Sequence, residues 1–491
     1  MKNIAIGQWA LRIFVIVLLA NGTAAAQSTQ EMLEELERLQ QEVQAQRTQV
    51  QEQVEERKRE LQQEQRLLRQ VLDEEQAGSG AAGTANMMTR QELEAELRIL
   101  REEIEGLRHQ VEQKRGSGEK YSMGLQVRSR LEWNDTDFSS GRADLQHLMR
   151  SRWSLNATPH ENTRIFAQVQ DARLWGEEAN TLEGSADNLD FHQAYFELNQ
   201  LFDRPLSLRI GRQELAYGGQ RLIGAVGWHN VGRAFDAIHL HYGTRSWVDL
   251  FNSKLQEKGE KDRNFYGLYS HLQAEGHAWE PYLFFEHDKN DLADRLKRIT
   301  LGLHGTGKMN GATGHAFAFE VEGAFQTGER GAQDVAAFML TGSGKYISNH
   351  WRQHAIGLGI DFLSGDSDDS DGDYKAFDTL FATNHKFYGF MDYFLNIPVH
   401  TAQRGLLDIM LKTGMKLSPE AKIDLHLHNF SLAEGDEKAL GQEVDATLNY
   451  AHNSATQIQL GALLFFPGDA METMRGGDLA YKLYWQNTVK F

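Results

Sequence analysis

The sequence of 491 residues has no cysteine, which excludes disulfides, thiolate catalysis and cysteine-ligated zinc together. Its six prolines leave long hydrogen-bonded ladders uninterrupted. No segment reaches the ~20 consecutive apolar residues that a membrane-spanning helix requires. Basic residues are in deficit, 51 against 69 acidic, and the formal net charge of -18 argues against a nucleic-acid partner. A chain without a helical span can live in a membrane only as a closed barrel, because hydrocarbon offers no partner to an unpaired N–H or C=O.

What is present is alternation. At the C-terminal end Tyr481, Leu483, Trp485, Val489 and Phe491 fall on one face, while Tyr484, Gln486, Thr488 and Lys490 fall on the other. That period of two, with aromatics at both ends, suits a strand with lipid on one side and water on the other. A terminal Phe491 resembles the signal that outer-membrane barrels present to their assembly machinery. The same period recurs in Leu206/Leu208/Ile210, Phe317/Phe319/Val321/Phe325, Ile356/Leu358/Ile360/Phe362, Leu407/Ile409/Leu411/Met415 and Ile458/Leu460/Ala462/Leu464/Phe466. Turn punctuation such as Ser418-Pro419-Glu420 separates the segments. The 45 glycines suit such turns and crowded walls. The expected fold is an all-β transmembrane barrel of about 18 antiparallel strands over residues 118–491, embedded in outer-membrane lipid. A barrel of that size is wide enough for a channel.

The first 117 residues read differently. Lys2 and Arg12, the apolar run 13–19 and Ala24-Ala25-Ala26 predict a signal peptide over 1–26. Residues 27–76 place Leu36, Val43, Val50 and Val71 on one heptad position and Val54, Leu61 and Leu68 on another. Leu93, Leu97, Leu100, Ile104, Leu107 and Val111 make a cleaner seam within 88–117. These spacings predict an α-helical coiled-coil extension in the periplasm, divided by a flexible linker over 77–87. So polar a helix needs a partner for its seam, either another copy or a periplasmic protein.

With apolar positions facing lipid, the intervening ones line the lumen. Those are Gln126, Arg128, Arg130 and Glu132, then Arg150, Arg152, Ser154 and Asn156, and later Arg209, Lys412 and Lys416. Rings of arginine attract anionic solutes. The alternative is wall chemistry, in which these cations pair with carboxylates such as Glu132, Asp171, Glu197, Glu320, Glu322 and Asp424. The acidic run 366–373 fails the EF-hand pattern, because Asp371 stands where glycine is required. It reads as an external loop that takes divalent ions loosely.

The stretch from Arg209 through Gly211-Arg212-Gln213-Glu214-Leu215-Ala216-Tyr217-Gly218-Gly219-Gln220-Arg221-Leu222 to Gly232-Arg233-Ala234-Phe235-Asp236 resembles the alginate export family. A second block, Lys375-Ala376-Phe377-Asp378-Thr379-Leu380-Phe381 to Met391-Asp392, resembles the same family. The resemblance implies an outer-membrane barrel whose electropositive constriction passes an acidic polysaccharide. On that reading Arg128, Arg130, Arg150, Arg152, Arg209, Arg212, Arg221, Arg233 and Lys412 contact the polymer. Guanidinium groups bind carboxylates through paired hydrogen bonds. Arg212, Arg221 and Arg233, among glycines, fit a loop folded toward the lumen; the alternative is a strand-turn fixture held by Asp236.

Two other classes remain open. A general or anion-selective porin accommodates an N-terminal coiled coil as readily. An outer-membrane enzyme is suggested by Asp424, His426 and His428 in one phase and by His239 with His241, but no further catalytic motif accompanies them. The expectation is a channel without catalytic residues, metal or cofactor.

Overall fold

The computed structural model describes residues 120–491, apart from 139–140, 142, 178–188, 259–260, 290–294, 312–313, 349–351 and 369. The signal peptide, both coiled-coil segments and their linker lie outside the described residues.

In chain order the strands are β1 (Tyr121–Asp135), β2 (Asp144–His160), β3 (Thr163–Leu174), β4 (Leu189–Leu198), β5 (Leu206–Gln213), β6 (Phe235–Gly243), β7 (Trp247–Lys258), β8 (Lys261–Gln273), β9 (His277–Asp288) and β10 (Leu296–Asn310). They continue as β11 (His315–Arg330), β12 (Gln333–Ser348), β13 (Ala355–Leu363), β14 (Asp373–Tyr374), β15 (Leu406–Lys416), β16 (Ala421–Ser431), β17 (Ala439–Ala451), β18 (Thr456–Pro467) and β19 (Ala480–Lys490). The two-residue β14 runs parallel to β12, and β13 pairs directly with β15. Otherwise each strand pairs antiparallel with its sequence neighbour, and β19 returns to β1. The wall is a closed barrel of 18 antiparallel strands, so no edge is left to aggregate. Closure runs to the last residue: Phe491 and Leu125 exchange backbone hydrogen bonds of 3.1 and 3.2 Å.

The alternation read from the sequence is the alternation of the wall. Trp133, Trp485, Leu340, Leu358 and Ile360 lie exposed on the outer face. Their neighbours in the opposite phase, Arg130, Tyr484, Thr341 and Asp361, are buried in the interior. A water-soluble protein would hide such apolar side chains; a barrel in lipid presents them.

The interior is not empty. The connection 214–234, between β5 and β6, and the connection 364–405, between β13 and β15, both leave the wall at the end remote from Tyr121 and Phe491. Both fold inward and bury Leu222, Ile223, Phe377, Phe387, Tyr388 and Phe394. They pair with each other through a parallel bridge at Ile223 and Phe381. Gly224 N–H donates to Phe381 O and Phe381 N–H to Leu222 O, each at 2.8 Å, and Thr383 N–H reaches Gln220 O at 2.9 Å. The two family-like blocks, about 160 residues apart in sequence by the numbering of that bridge, are one plug in space.

Candidate functional site

Arg128 and Arg130 project from β1 and Arg150 and Arg152 from β2, all inward, as their phase predicts. They converge on one side of the plug. Arg128 donates to Gly227 O at 2.7 Å and to His229 O at 3.0 Å. Arg150 reaches the same two carbonyls at 3.4 and 3.2 Å, and Gln126 at 3.0 Å. Arg130 donates to Trp228 O at 2.9 Å, lies 3.9 Å over the Trp228 ring and pairs with Glu132 at 2.6 Å. Arg152 holds Gln170 at 2.7 Å, Val231 O at 3.1 Å and Glu214 at 3.4 Å. Segment 227–231 is therefore clamped by guanidinium groups through its carbonyl oxygens. Carbonyls satisfy the donors of Arg128 and Arg150 without cancelling their charge, whereas Arg130 and Arg152 are paired with Glu132 and Glu214.

Other walls hold the plug by different chemistry. On β7–β9 it meets an aromatic stack in which Tyr217 lies 4.5 Å from Tyr269, and Tyr269 lies 5.6 Å from Tyr282. Tyr217 also donates to Asp249 at 3.0 Å. Toward β10 and β13 there are buried ion pairs: Arg298 with Asp378 at 2.7 Å, and Arg221 with Asp361 at 2.6 Å. Gln326 adds a paired contact to the Asp378 backbone, at 2.8 and 3.0 Å. On β17, Glu443 accepts from Met391 N–H at 2.7 Å and Asp445 from Phe390 N–H at 3.3 Å. Two glycines make the close approach possible. Gly218 has φ +52, and a Cβ there would sit 2.8 Å from the Tyr269 hydroxyl; Gly389 has φ +81, and a Cβ there would strike Glu443.

The remaining cations anticipated from sequence divide. Arg221 and Arg233 belong to the plug, where Arg233 bonds Ala382 O at 3.1 Å. Arg209 lines the lumen, 3.2 Å from Glu197 and 4.8 Å from the Tyr195 ring. Lys412 also lies on the luminal phase of β15, half-buried between buried Asp408 and exposed Lys416. Arg212 is placed elsewhere. It shares the phase of Ile210 and Ile238 rather than that of buried Gln213, and it binds Asp236 at 2.8 and 3.0 Å on the outside of the rim. A strand puts residues three apart on opposite faces, so Arg209 and Arg212 cannot both point inward.

Sequence reading passed over Arg164, Phe166 and Tyr195, which share the luminal phase with Arg209. Arg164 reaches Glu197 at 3.4 Å and lies over both rings at 5.3 and 5.8 Å. Their alternation with Gln168 and Gln170 was the available signal. It also passed over Arg263 and Arg298, which share Glu286. Two cavities, of about 410 and 470 Å³, lie along the wall, and only the smaller is bounded by the 364–405 connection. The smaller lies between Arg263, Arg298, Arg330 and Asn396; the larger is lined by His271, Lys308, Glu320 and Lys345. In the acidic run, Asp366 accepts from the backbone N–H of Asp368 and Lys375, and Asp371 pairs with Lys375. In the Asp424 series, Asp424 pairs with Lys422 and His428 with Asp408. His239 and His241 both turn to Asp249.

Within the plug, titration follows these contacts. Burial alone raises the Glu214 pKa, but His192 at 2.8 Å and Arg152 outweigh it and hold the carboxyl below its ordinary value. Asp392 is likewise buried yet lowered, by His385 at 2.5 Å and by Lys482 and Arg130. Burial brings Arg233 down to about 10, so it stays charged at neutral pH.

Residues 119–484 match the alginate export family. No curated protein matches the sequence. Solved barrels share the fold at low identity. OccAB4 of Acinetobacter baumannii aligns at 12% identity and TM-score 0.55, over 76% of this chain and 99% of its own. A BenF-like porin from Pseudomonas fluorescens aligns at 8% and 0.53 over the same shares, 76% and 99%. OpdK of Pseudomonas aeruginosa, solved with vanillate, aligns at 9% and 0.52, over 75% and 98%.

Proposed function

The chain belongs to the alginate export family of outer-membrane channels, and from that premise we propose that it passes an anionic polysaccharide or oligosaccharide of the polyuronate kind past an arginine-lined plug. One observation carries the reading: the two motif blocks of the family fold together in the lumen against four inward arginines. A polyuronate bears a carboxylate on each sugar, and exchangeable guanidinium sites let such a chain slide where one tight site would trap it. Arg164 and Arg209, interleaved with Phe166 and Tyr195, offer charge and a flat apolar face together. The plug, held by polar contacts on β1 and β2 and by aromatic packing elsewhere, is the element that yields when the polymer passes. The N-terminal extension is proposed as a periplasmic docking or self-association element.

The test is single-channel recording with oligouronates on one side. Block should lengthen with chain length and weaken as salt rises, because exposed charges are screened within ~10 Å at 0.1 M. Equal block by neutral oligosaccharides would remove the polyuronate assignment. A second reading, uptake of small organic anions, is favoured by the cavities of about 410 and 470 Å³, a size suited to single small ligands. Block by vanillate with none by oligouronates would select it.

A further inference from the structure

One cluster has no part in holding an anion. His426 and His428 on β16 and Asp445 on β17 all point into the lumen, His426 directly across the ladder from Asp445. Their potential ligand atoms lie within 4.8 Å of one another. Asp445 is 1% exposed, and its Oδ1 has no hydrogen-bond partner; neither has the buried Nδ1 of His426. Unpartnered polar atoms in the interior are costly.

His428 is already oriented. Its Nδ1 is 2.8 Å from Asp408 Oδ2, with both side chains almost wholly buried, which leaves Nε2 as the atom able to ligate. A carboxylate behind an imidazole is the usual support of a metal-binding histidine, since it sets the tautomer and the ring direction. Charge points the same way. Asp408, Glu443 and Asp445 bring three carboxylates to this part of the wall, and Lys412, cross-strand from His426, brings one ammonium.

We propose that His426, His428 and Asp445 form a binding site for a divalent late-transition metal, zinc by preference, that staples the plug to the wall. Two imidazoles and one carboxylate suit zinc, whereas calcium and magnesium prefer oxygen alone. Three protein ligands leave a fourth position open to water or to a solute carboxylate. The staple follows from position. Asp445 also receives Phe390 N–H, and the Phe390 ring lies 5.2 Å from His426. A metal there fixes the residue on which the 364–405 connection docks.

The experiment uses the full-length protein in detergent, purified without a histidine tag and stripped with EDTA. Zinc titration by calorimetry should give one site per chain, and cobalt at that site should show the visible absorption of a tetrahedral ion. Asp408→Asn should weaken zinc about 10- to 100-fold, the usual effect of removing a carboxylate behind a ligating histidine. His426→Ala, a half-buried position, should abolish the cobalt spectrum while heat-modifiable migration shows that the barrel is intact. His241→Ala should leave binding unchanged. In bilayers zinc should lower the frequency of plug opening, and His426→Ala should remove that response. No zinc binding by the wild type, or unchanged stoichiometry in His426→Ala, would overturn the site. Binding that leaves opening unaffected would overturn the staple.

Discussion

The clamp formed by Arg128 and Arg150 can be tested by removing both together. Arg128 makes two short bonds to carbonyls of the 214–234 connection, 2.7 and 3.0 Å, and Arg150 makes two long ones, 3.2 and 3.4 Å. Hydrogen bonds from a charged donor contribute about 1.5–3 kcal/mol each. The two short bonds alone sum to roughly 3–6 kcal/mol of gross latch strength. Against this, neither arginine makes an ion pair among the described residues, and four like charges share this part of the wall. Relief of that repulsion offsets part of the loss, by about 2 kcal/mol for a single pair of charges ~8 Å apart at an effective dielectric near 20. The net loss in an Arg128→Ala, Arg150→Ala protein is about 1–4 kcal/mol, or roughly five- to thousandfold in the ratio of open to latched plug. Planar-bilayer recording should show more frequent large openings and weaker anion preference. An Arg128→Lys, Arg150→Lys protein keeps the charge and loses the paired donors, so it should open more often yet keep its preference. If both proteins gate as the wild type does, the clamp has no energetic role. If only the alanine protein opens, charge rather than hydrogen bonding holds the plug.

Arg221→Ala should lower the temperature of heat-modifiable unfolding sharply, because it leaves Asp361 buried and uncompensated at a cost of about 3–5 kcal/mol; the double change Arg221→Met, Asp361→Leu should recover much of the loss. Glu214 has a lowered pKa in the folded plug, so its contribution is complete above the ordinary carboxylate range and is lost as pH falls through the lower folded value. Acid should therefore increase plug opening in the wild type, and Glu214→Gln should open as readily at neutral pH with no further acid response. Arg212→Ala should leave oligouronate block unchanged, since its partner Asp236 and its face lie outside the lumen, while Arg209→Ala should shorten blocking events; equal effects would show that the outer rim contributes to the path. A chain carrying the signal but lacking residues 27–117 should still yield a heat-modifiable outer-membrane band, because among the described residues every strand of the closed wall lies from Tyr121 onward; failure to assemble would make the extension integral to the barrel.

How far the site was legible depends on the range of the interaction involved. The inward phase of Arg128, Arg130, Arg150 and Arg152 follows from local backbone geometry, since a strand turns successive side chains to opposite faces whatever surrounds it. The same rule, applied across three residues, separates Arg209 from Arg212, so that distinction was available before any fold. Closure into a barrel was equally available: alternation over most of 118–491, without a helical span, leaves no other way to pair every backbone group in lipid. The partners of those arginines were not available. Arg128 meets Gly227 and Arg130 meets Trp228 across 99 and 98 residues, and Arg221 meets Asp361 across 140. Such contacts depend on where a long connection goes once it leaves its strand. Glycines at 218, 232 and 389 permit an inward course; the burial of Phe377, Phe387 and Tyr388 against the lumen favours it. The chain by itself determined which side chains face water inside the wall. Only the closed barrel, by bringing strands more than 350 residues apart into one ladder and two distant connections into one bridge, decided that most of those cations hold a plug.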